Sequence, residues 1–259
     1  MIRICCLFFF VVLHSVCLDA QFIELSNNNF YFQNNIFVPL VMNYAVNIRH
    51  EDRGRYWISR SMSYYTTPVG TNCRDEKECL EHLIHDFTLI KDQGFNVLRI
   101  VDFEFGIKNE ELANGIPGTL DISYYYGPLK YHEFVEPFED HFEVLDKLIQ
   151  AAKQVNLKII LVSGGKQVDQ FPLDEDYNIY LKYLSKRYKD ESTIMAFDLL
   201  NEPSFFHKGH TKLEARMIVR KWTSTIREQT SHQLITIGLA DSHTSFDWDP
   251  ILLDVDFYS

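Results

Sequence analysis

Short apolar runs alternate along this chain with stretches whose apolar residues recur at helical spacing. That alternation restricts the fold to a parallel sheet covered by helices. The runs are Phe37 to Tyr44, Asn96 to Val101, Leu157 to Val162, Ile194 to Leu200 and Leu234 to Leu239, and a sixth opens at Val255 to Tyr258. Between them lie four helical faces. Leu80, Leu83, Ile84, Phe87 and Ile90 form the first, with Gly94 as its stop; Phe142, Leu145, Leu148, Ile149 and Ala152 form the second. Tyr177, Tyr180, Leu181, Leu184 and Tyr188 mark the third, and Ala215, Ile218, Trp222 and Ile226 the fourth. These stripes follow the 3.6-residue period of an amphipathic helix.

A doubly wound open sheet and a closed (β/α)₈ barrel both satisfy this pattern. No G-x-G-x-x-G turn follows the first run, which weakens the dinucleotide-binding form of the open sheet. Long loops follow the first two runs, on the side where barrel enzymes carry their chemistry, and the barrel is therefore the favoured reading. Phe22 to Phe32 is expected to add a small hairpin across the barrel floor. No repeat beyond the βα unit, no low-complexity linker and no second domain is visible, so residues 21–259 read as one domain. At 259 residues the chain is long enough for a single α/β barrel domain.

Residues 1–20 stand apart. Arg3 precedes an apolar run from Ile4 to Leu18, interrupted by His14 and Ser15, and Ala20 offers a cleavage point before Gln21. This reads as a secretory signal peptide, shorter than the roughly 20 apolar residues of a membrane span. The mature protein is then secreted and extracellular, with no membrane contact after cleavage. A retained anchor, or lipid attachment at Cys17, is the alternative because Leu18 is bulky for its position. Three of the five cysteines leave with this segment. Cys73 and Cys79 remain, and in an oxidising compartment they are expected to form a disulfide; two unpaired thiols are the other reading. The formal net charge of -11 argues against nucleic acid or an anionic membrane as partner.

The fourth run carries the chemistry. It ends Phe197-Asp198-Leu199-Leu200-Asn201-Glu202-Pro203, so a buried strand delivers an amide and a carboxylate side by side to its C-terminal end. Pro203 disfavours helical backbone at Glu202. A carboxyl walled by apolar groups at a barrel mouth loses solvation, which raises its pKa and suits it to protonate a leaving oxygen. Asn201 can hydrogen-bond a sugar 2-hydroxyl, a contact that strengthens in an oxocarbenium-like transition state. A bare Asn-Glu-Pro is weak evidence, since a loop carboxylate beside a turn proline is common.

In this context, however, the segment resembles the fourth strand of glycoside hydrolase clan A, and most of all family 5, the cellulase and β-mannanase family. Asn96-Val97-Leu98-Arg99-Ile100 resembles the family's second strand, and Phe32 to Phe37 leading into Val41-Met42-Asn43-Tyr44 its first hairpin and strand. The resemblance implies Glu202 as the acid/base, Asn201 as its substrate-binding neighbour and Arg99 as support for a nucleophile. It implies an endo-acting, retaining hydrolase of a cell-wall polysaccharide of the β-1,4-glucan or β-mannan class, without cofactor, that works as a monomer on an oligo- or polysaccharide. The family's nucleophile is a glutamate at the end of the seventh strand, whereas this chain reaches only the sixth. The chain is accordingly expected to be an incomplete barrel with about six of the eight strands, a fragment lacking roughly 60 to 90 residues and inactive alone. The alternative is a non-catalytic carbohydrate-binding barrel that has lost the nucleophile.

Other candidates carry less. Glu104 in Phe103-Glu104-Phe105-Gly106 mimics the nucleophile motif but follows the second strand. Trp248 is a candidate sugar platform weighed against loop packing, and Trp57, the Tyr64-Tyr65 pair and Tyr124-Tyr125-Tyr126 are weaker ones; Trp222 lies on a helical stripe and reads as core. His82/His85 and His207/His210 share a His-x-x-His spacing without the glutamate of a zinc-protease helix, so no metal is expected. No G-x-S-x-G elbow and no Asn-X-Ser/Thr sequence occurs.

Overall fold

The computed structural model describes residues 21–51, 55–60, 73, 75–101, 139–163, 175–201, 211–238 and 253–259. Three short strands open it: β1 (Glu24–Ser26), β2 (Asn29–Phe32) and β3 (Asn35–Phe37). They pair antiparallel in the order β1-β2-β3. The expected single hairpin is thus a three-stranded meander. Its two turns use residues with positive φ, Asn27 (50°) with Asn28 (60°) and Gln33 (53°) with Asn34 (61°). Consecutive left-handed residues give the backbone twist that a tight two-residue hairpin needs.

The main sheet follows. Its strands are β4 (Val41–Glu51), β5 (Arg55–Arg60), β6 (Val97–Val101), β7 (Lys158–Val162), β8 (Ile194–Asp198), β9 (Leu234–Ile237) and β10 (Phe257–Tyr258). Between them run α1 (Glu76–Asp92), α2 (Glu139–Gln154), α3 (Glu175–Arg187) and α4 (Lys212–Arg227). The spatial order is β10-β9-β8-β7-β6-β4-β5, and every neighbouring pair from β4 through β6 to β10 is parallel. A doubly wound sheet reverses its strand order at a switch point, whereas here each new parallel strand adds on the same side. The sequential order is that of a barrel wall.

Two details depart from the sequence reading. The apolar run Phe37 to Tyr44 is two strands, because Pro39 lacks an N–H for the ladder and interrupts it. Asn96 bridges the break: Leu40 N donates to Asn96 Oδ1 at 2.7 Å, and Asn96 Nδ2 donates to the Val38 carbonyl at 2.8 Å. Part of the long loop expected after the first strand is also regular. β4 continues to Glu51 and β5 returns antiparallel beside it, with Ile48 opposite Ile58. Val46 and Ile58 are buried in the core that lies under the helices, and β5 packs on α1 and α2.

The helices stop and start for local reasons. Asp75 caps α1 by accepting from Glu78 N at 2.9 Å, and Gly94, at φ 95°, supplies the left-handed residue just past its end. Thr211 and Glu214 form a reciprocal capping box on α4. Leu83, Phe87, Leu145, Leu148, Leu181, Leu184, Val219, Trp222 and Ile226 turn inward from the helices and are buried. Trp222 is core, as its place in the stripe indicates.

On the inner side of the sheet a second cluster occupies the N-terminal ends of the strands. Val97, Ile160, Met195, Ala196 and Leu234 pack there with Ile23, and Phe30, Phe32 and Phe37 of the meander cover them. Phe30 meets Phe257 edge-on at 5.2 Å. The meander therefore closes the floor. Lys158 lies over the Phe32 ring at 4.5 Å and donates to the Ser192 carbonyl at 2.8 Å. Burial lowers its pKa to about 8, with Glu191 pulling it up and Lys153 pushing it down.

A β-bulge decides what lies above the floor. Ile159 pairs with Ile194 but Ile160 pairs with Ala196, so Met195 is an extra residue on β8. Met195 and Ala196 consequently both join the floor, Phe197 turns to the helices, and Asp198 faces the interior. Were all five residues of β8 in regular alternation with no bulge, Asp198 would share the face of Ile194 and point to the helical side.

Candidate functional site

Above the apolar floor the inward positions become polar. Arg99 on β6 and Asp198 on β8 are both buried, and Thr236 on β9 and Gly238 just past it continue the layer. Arg99 Nε donates to Asp198 Oδ2 at 2.8 Å, and its Nη2 lies 2.7 Å from the same oxygen. A buried charge is tolerable only when it is paired and hydrogen-bonded, and this pair meets both conditions.

Asp198 has further donors. Gly238 N donates to Oδ1 at 3.0 Å, Leu200 N to Oδ1 at 3.3 Å and Ser259 Oγ to Oδ2 at 3.0 Å. Its backbone carbonyl accepts from Ser163 N at 2.8 Å and Ser163 Oγ at 2.9 Å. One residue, through its carboxylate and its carbonyl, thereby ties together the C-terminal ends of β7, β8, β9 and β10.

Arg99 Nη2 also donates to Asn201 Oδ1 at 3.0 Å. Arginine has donors only, so this contact requires the amide oxygen of Asn201 and turns its Nδ2 hydrogens elsewhere. Asn201 is half-buried just past the C-terminal end of β8. Gly238 makes the arrangement sterically possible: a Cβ there would lie 2.2 Å from Arg99 Nη2 and 3.1 Å from Asp198 Oδ2.

Of the residues singled out from sequence, Arg99 and Asn201 are brought together by the fold. Glu202 and Trp248 lie outside the described residues, as do Glu104, Tyr64, Tyr65, Tyr124, Tyr125, Tyr126, His207, His210 and residues 1–20. Cys73 and Cys79 form a disulfide with Cα atoms 5.0 Å apart, at the start of α1. Trp57 is on β5, in the hairpin that packs on α1 and α2. Among the described residues no group of three or more His, Cys, Asp or Glu side chains is placed to hold a metal, and no helix is long and apolar enough to cross a membrane.

Asp198, Gly238 and Ser259 were not singled out from the sequence. A signal for Asp198 was present: it is the lone charge in a strand that reads as buried, and Arg99 is the lone charge in the second strand. Two opposite lone charges in buried strands of one sheet need each other.

Comparison with known proteins places the fold in a family. The family model described as cellulase, glycosyl hydrolase family 5, matches residues 65–250. Endoglucanase B of Acetivibrio thermocellus is 28% identical over 169 residues, which cover 58% of this chain and 28% of that protein. The match thus spans under a third of the relative's length. Among solved structures, an endo-1,4-β-mannanase from Eisenia fetida matches with a TM-score of 0.52 at 14% identity, over 92% of this chain and 72% of that one. A β-glucanase from Saccharophagus degradans, solved with cellotetraose, matches with a TM-score of 0.51 at 13% identity, over 92% and 60%. The fold is accordingly a (β/α)₈ barrel, of which the described parallel strands make up an incomplete set.

Proposed function

The chain belongs to glycosyl hydrolase family 5, and from that membership we propose that the protein hydrolyses the β-1,4 linkages of a cell-wall glucan or mannan with retention of configuration. Glu202 is the general acid/base in this reading. It protonates the leaving glycosidic oxygen in the first step and deprotonates water in the second. The nucleophile is a second carboxylate, assigned to a later strand of the barrel, about 5 to 5.5 Å from Glu202 as retention demands. Trp248 is a stacking platform for a sugar ring. The protein is secreted after cleavage at Ala20 and acts as a monomer, binding oligo- and polysaccharide and neither nucleic acid nor membrane.

The observation that supports this reading most is the clamp on Asn201. Its amide oxygen is held by Arg99 Nη2 at 3.0 Å, so its N–H groups are oriented before any ligand arrives. A preorganised donor beside the next residue, Glu202, is what a sugar 2-hydroxyl requires when charge develops on the ring.

The test is leaving-group dependence in a protein carrying the complete barrel. Glu202→Ala should slow glycosylation most for substrates with poor leaving groups, which need protonation, and least for activated aryl glycosides. Added azide should rescue deglycosylation and yield a β-glycosyl azide. Cleavage of polysaccharide by Glu202→Ala at the parental rate would end the assignment.

A further inference from the structure

We infer that Asp198 is a positioning residue, acting on substrate through Arg99 and Asn201. The inference rests on the function proposed above and extends it to a residue one layer beneath the mouth. Asp198 is fully buried, which separates it from any ligand, yet the polar contacts of the layer converge on it. Its Oδ2 takes both Nε and Nη2 of Arg99. That two-point hold leaves the guanidinium plane little freedom to rotate. Nη2 then carries the orientation forward to the amide oxygen of Asn201.

Backbone N–H groups of Leu200 and Gly238 fix Oδ1, and the Ser259 hydroxyl adds a third donor around the carboxylate. Asp198 is therefore held from the ends of β9 and β10 and from its own strand. The absence of a Cβ at Gly238 is what lets the Arg99 guanidinium lie against that backbone. The chain of contacts runs from the sheet backbone through Asp198 and Arg99 to the Asn201 amide, and each link is within hydrogen-bonding distance.

The experiment uses the protein with its complete barrel and compares aryl β-glycosides with their 2-deoxy counterparts. Asp198→Asn keeps the shape, removes the charge and loosens Arg99. On 2-hydroxy substrates kcat should fall about 100-fold, the scale of a lost transition-state donor. In an Asn201→Ala background the same change should cost less than about threefold, because residues acting as a unit are not additive. Its effect on 2-deoxy substrates should be equally small. A full 100-fold loss on 2-deoxy substrates or in the Asn201→Ala background would overturn the inference, leaving Asp198 a purely structural residue. No loss on 2-hydroxy substrates would overturn it as well.

Should Asp198→Asn fail to fold, Ser259→Ala is the second arm, since it removes one donor from the carboxylate without altering charge. It should lower kcat on 2-hydroxy substrates about threefold and leave 2-deoxy turnover unchanged; no difference between the two substrate classes would overturn the inference. Glu202→Ala, assayed in parallel on polysaccharide, separates the two claims. Parental turnover there removes the proposed function itself, whereas its loss together with an Asp198→Asn effect blind to the 2-hydroxyl removes only the positioning role.

Discussion

The same strands build two unlike regions inside the barrel wall. At their N-terminal ends Val97, Ile160, Met195, Ala196 and Leu234 meet the phenylalanines of the meander, and the interior is apolar. Further along β6, β8, β9 and β10 come Arg99, Asp198, Gly238 and Ser259, joined by charge and hydrogen bonds. The floor needs only volume and apolar area. The upper layer needs particular atoms at particular distances, and its buried charges have no low-energy alternative to their partners. The bulge at Met195 separates the two, because it turns one carboxylate from the helical side to the interior. Stability can be spread over many floor contacts, whereas the geometry above it hangs on a few.

Substitutions at the two levels should therefore differ in kind as well as size. Asp198→Ala leaves the Arg99 guanidinium buried without its carboxylate, and urea unfolding should register a loss of about 3–5 kcal/mol. A loss below about 1 kcal/mol would mean that the layer relaxes around water and is not rigid. On the floor, Ile160→Ala removes a buried side chain at 1% exposure and should cost about 2–4 kcal/mol by the same measurement. Turnover by a complete barrel carrying that substitution should keep its parental KM and kcat at temperatures where it is folded. A floor variant that shifted kcat as strongly as an upper-layer variant would erase the distinction.

Gly238→Ala sharpens it from the other side, because the added methyl meets Arg99 Nη2 without removing any polar group. Its stability cost should be about 1–3 kcal/mol, as for other overpacked sites, and the guanidinium should be displaced from Asn201 in a crystal structure of the variant. An unmoved Arg99 would show that the backbone, not the side chain, yields.

The smallest effect concerns Lys158, beside the floor's Phe32 ring. The folded pKa of Lys158 is lowered to about 8 from 10.5 by burial. Between those two values the unfolded chain holds the proton that the folded chain has released, so stability rises with pH across that window. Below about pH 8 both states are protonated and the full burial penalty persists. Lys158→Met should remove this slope, so that the stability difference between variant and parent shrinks as pH rises from 8 to 10.5 in urea titrations at each pH. An unchanged slope would mean that Lys158 reaches solvent past the Phe32 ring.

Much of the fold is legible in the sequence. The strand and helix alternation, the helical stripes, Gly94 as a stop and the pairing of Cys73 with Cys79 all depend on local pattern or short spacing. Asn201 is legible because it ends an apolar run with a polar group, and Arg99 because its strand resembles the second strand of the family. Three features were not. The β4–β5 hairpin hides its period-two alternation among Arg49, His50, Arg55 and Tyr56, whose polarity reads as loop. The role of Asp198 depends on Arg99, 99 residues away, and on a bulge that sequence periodicity does not reveal. Gly238 has ordinary surroundings in sequence; only the approach of the Arg99 guanidinium explains why a side chain is excluded there.

The central claim, that the strand carrying Asn201 presents Glu202 as the acid of a glycosidase, is tested most directly by the pH dependence of kcat/KM on an activated aryl β-glycoside. With the complete barrel the profile should be bell-shaped, its alkaline limb reporting deprotonation of the general acid in the free enzyme. Glu202→Ala should retain measurable turnover of this substrate, since a good leaving group departs without protonation, and the alkaline limb should vanish from its profile. An alkaline limb that persists unchanged in Glu202→Ala would contradict the assignment and move the acid to another residue.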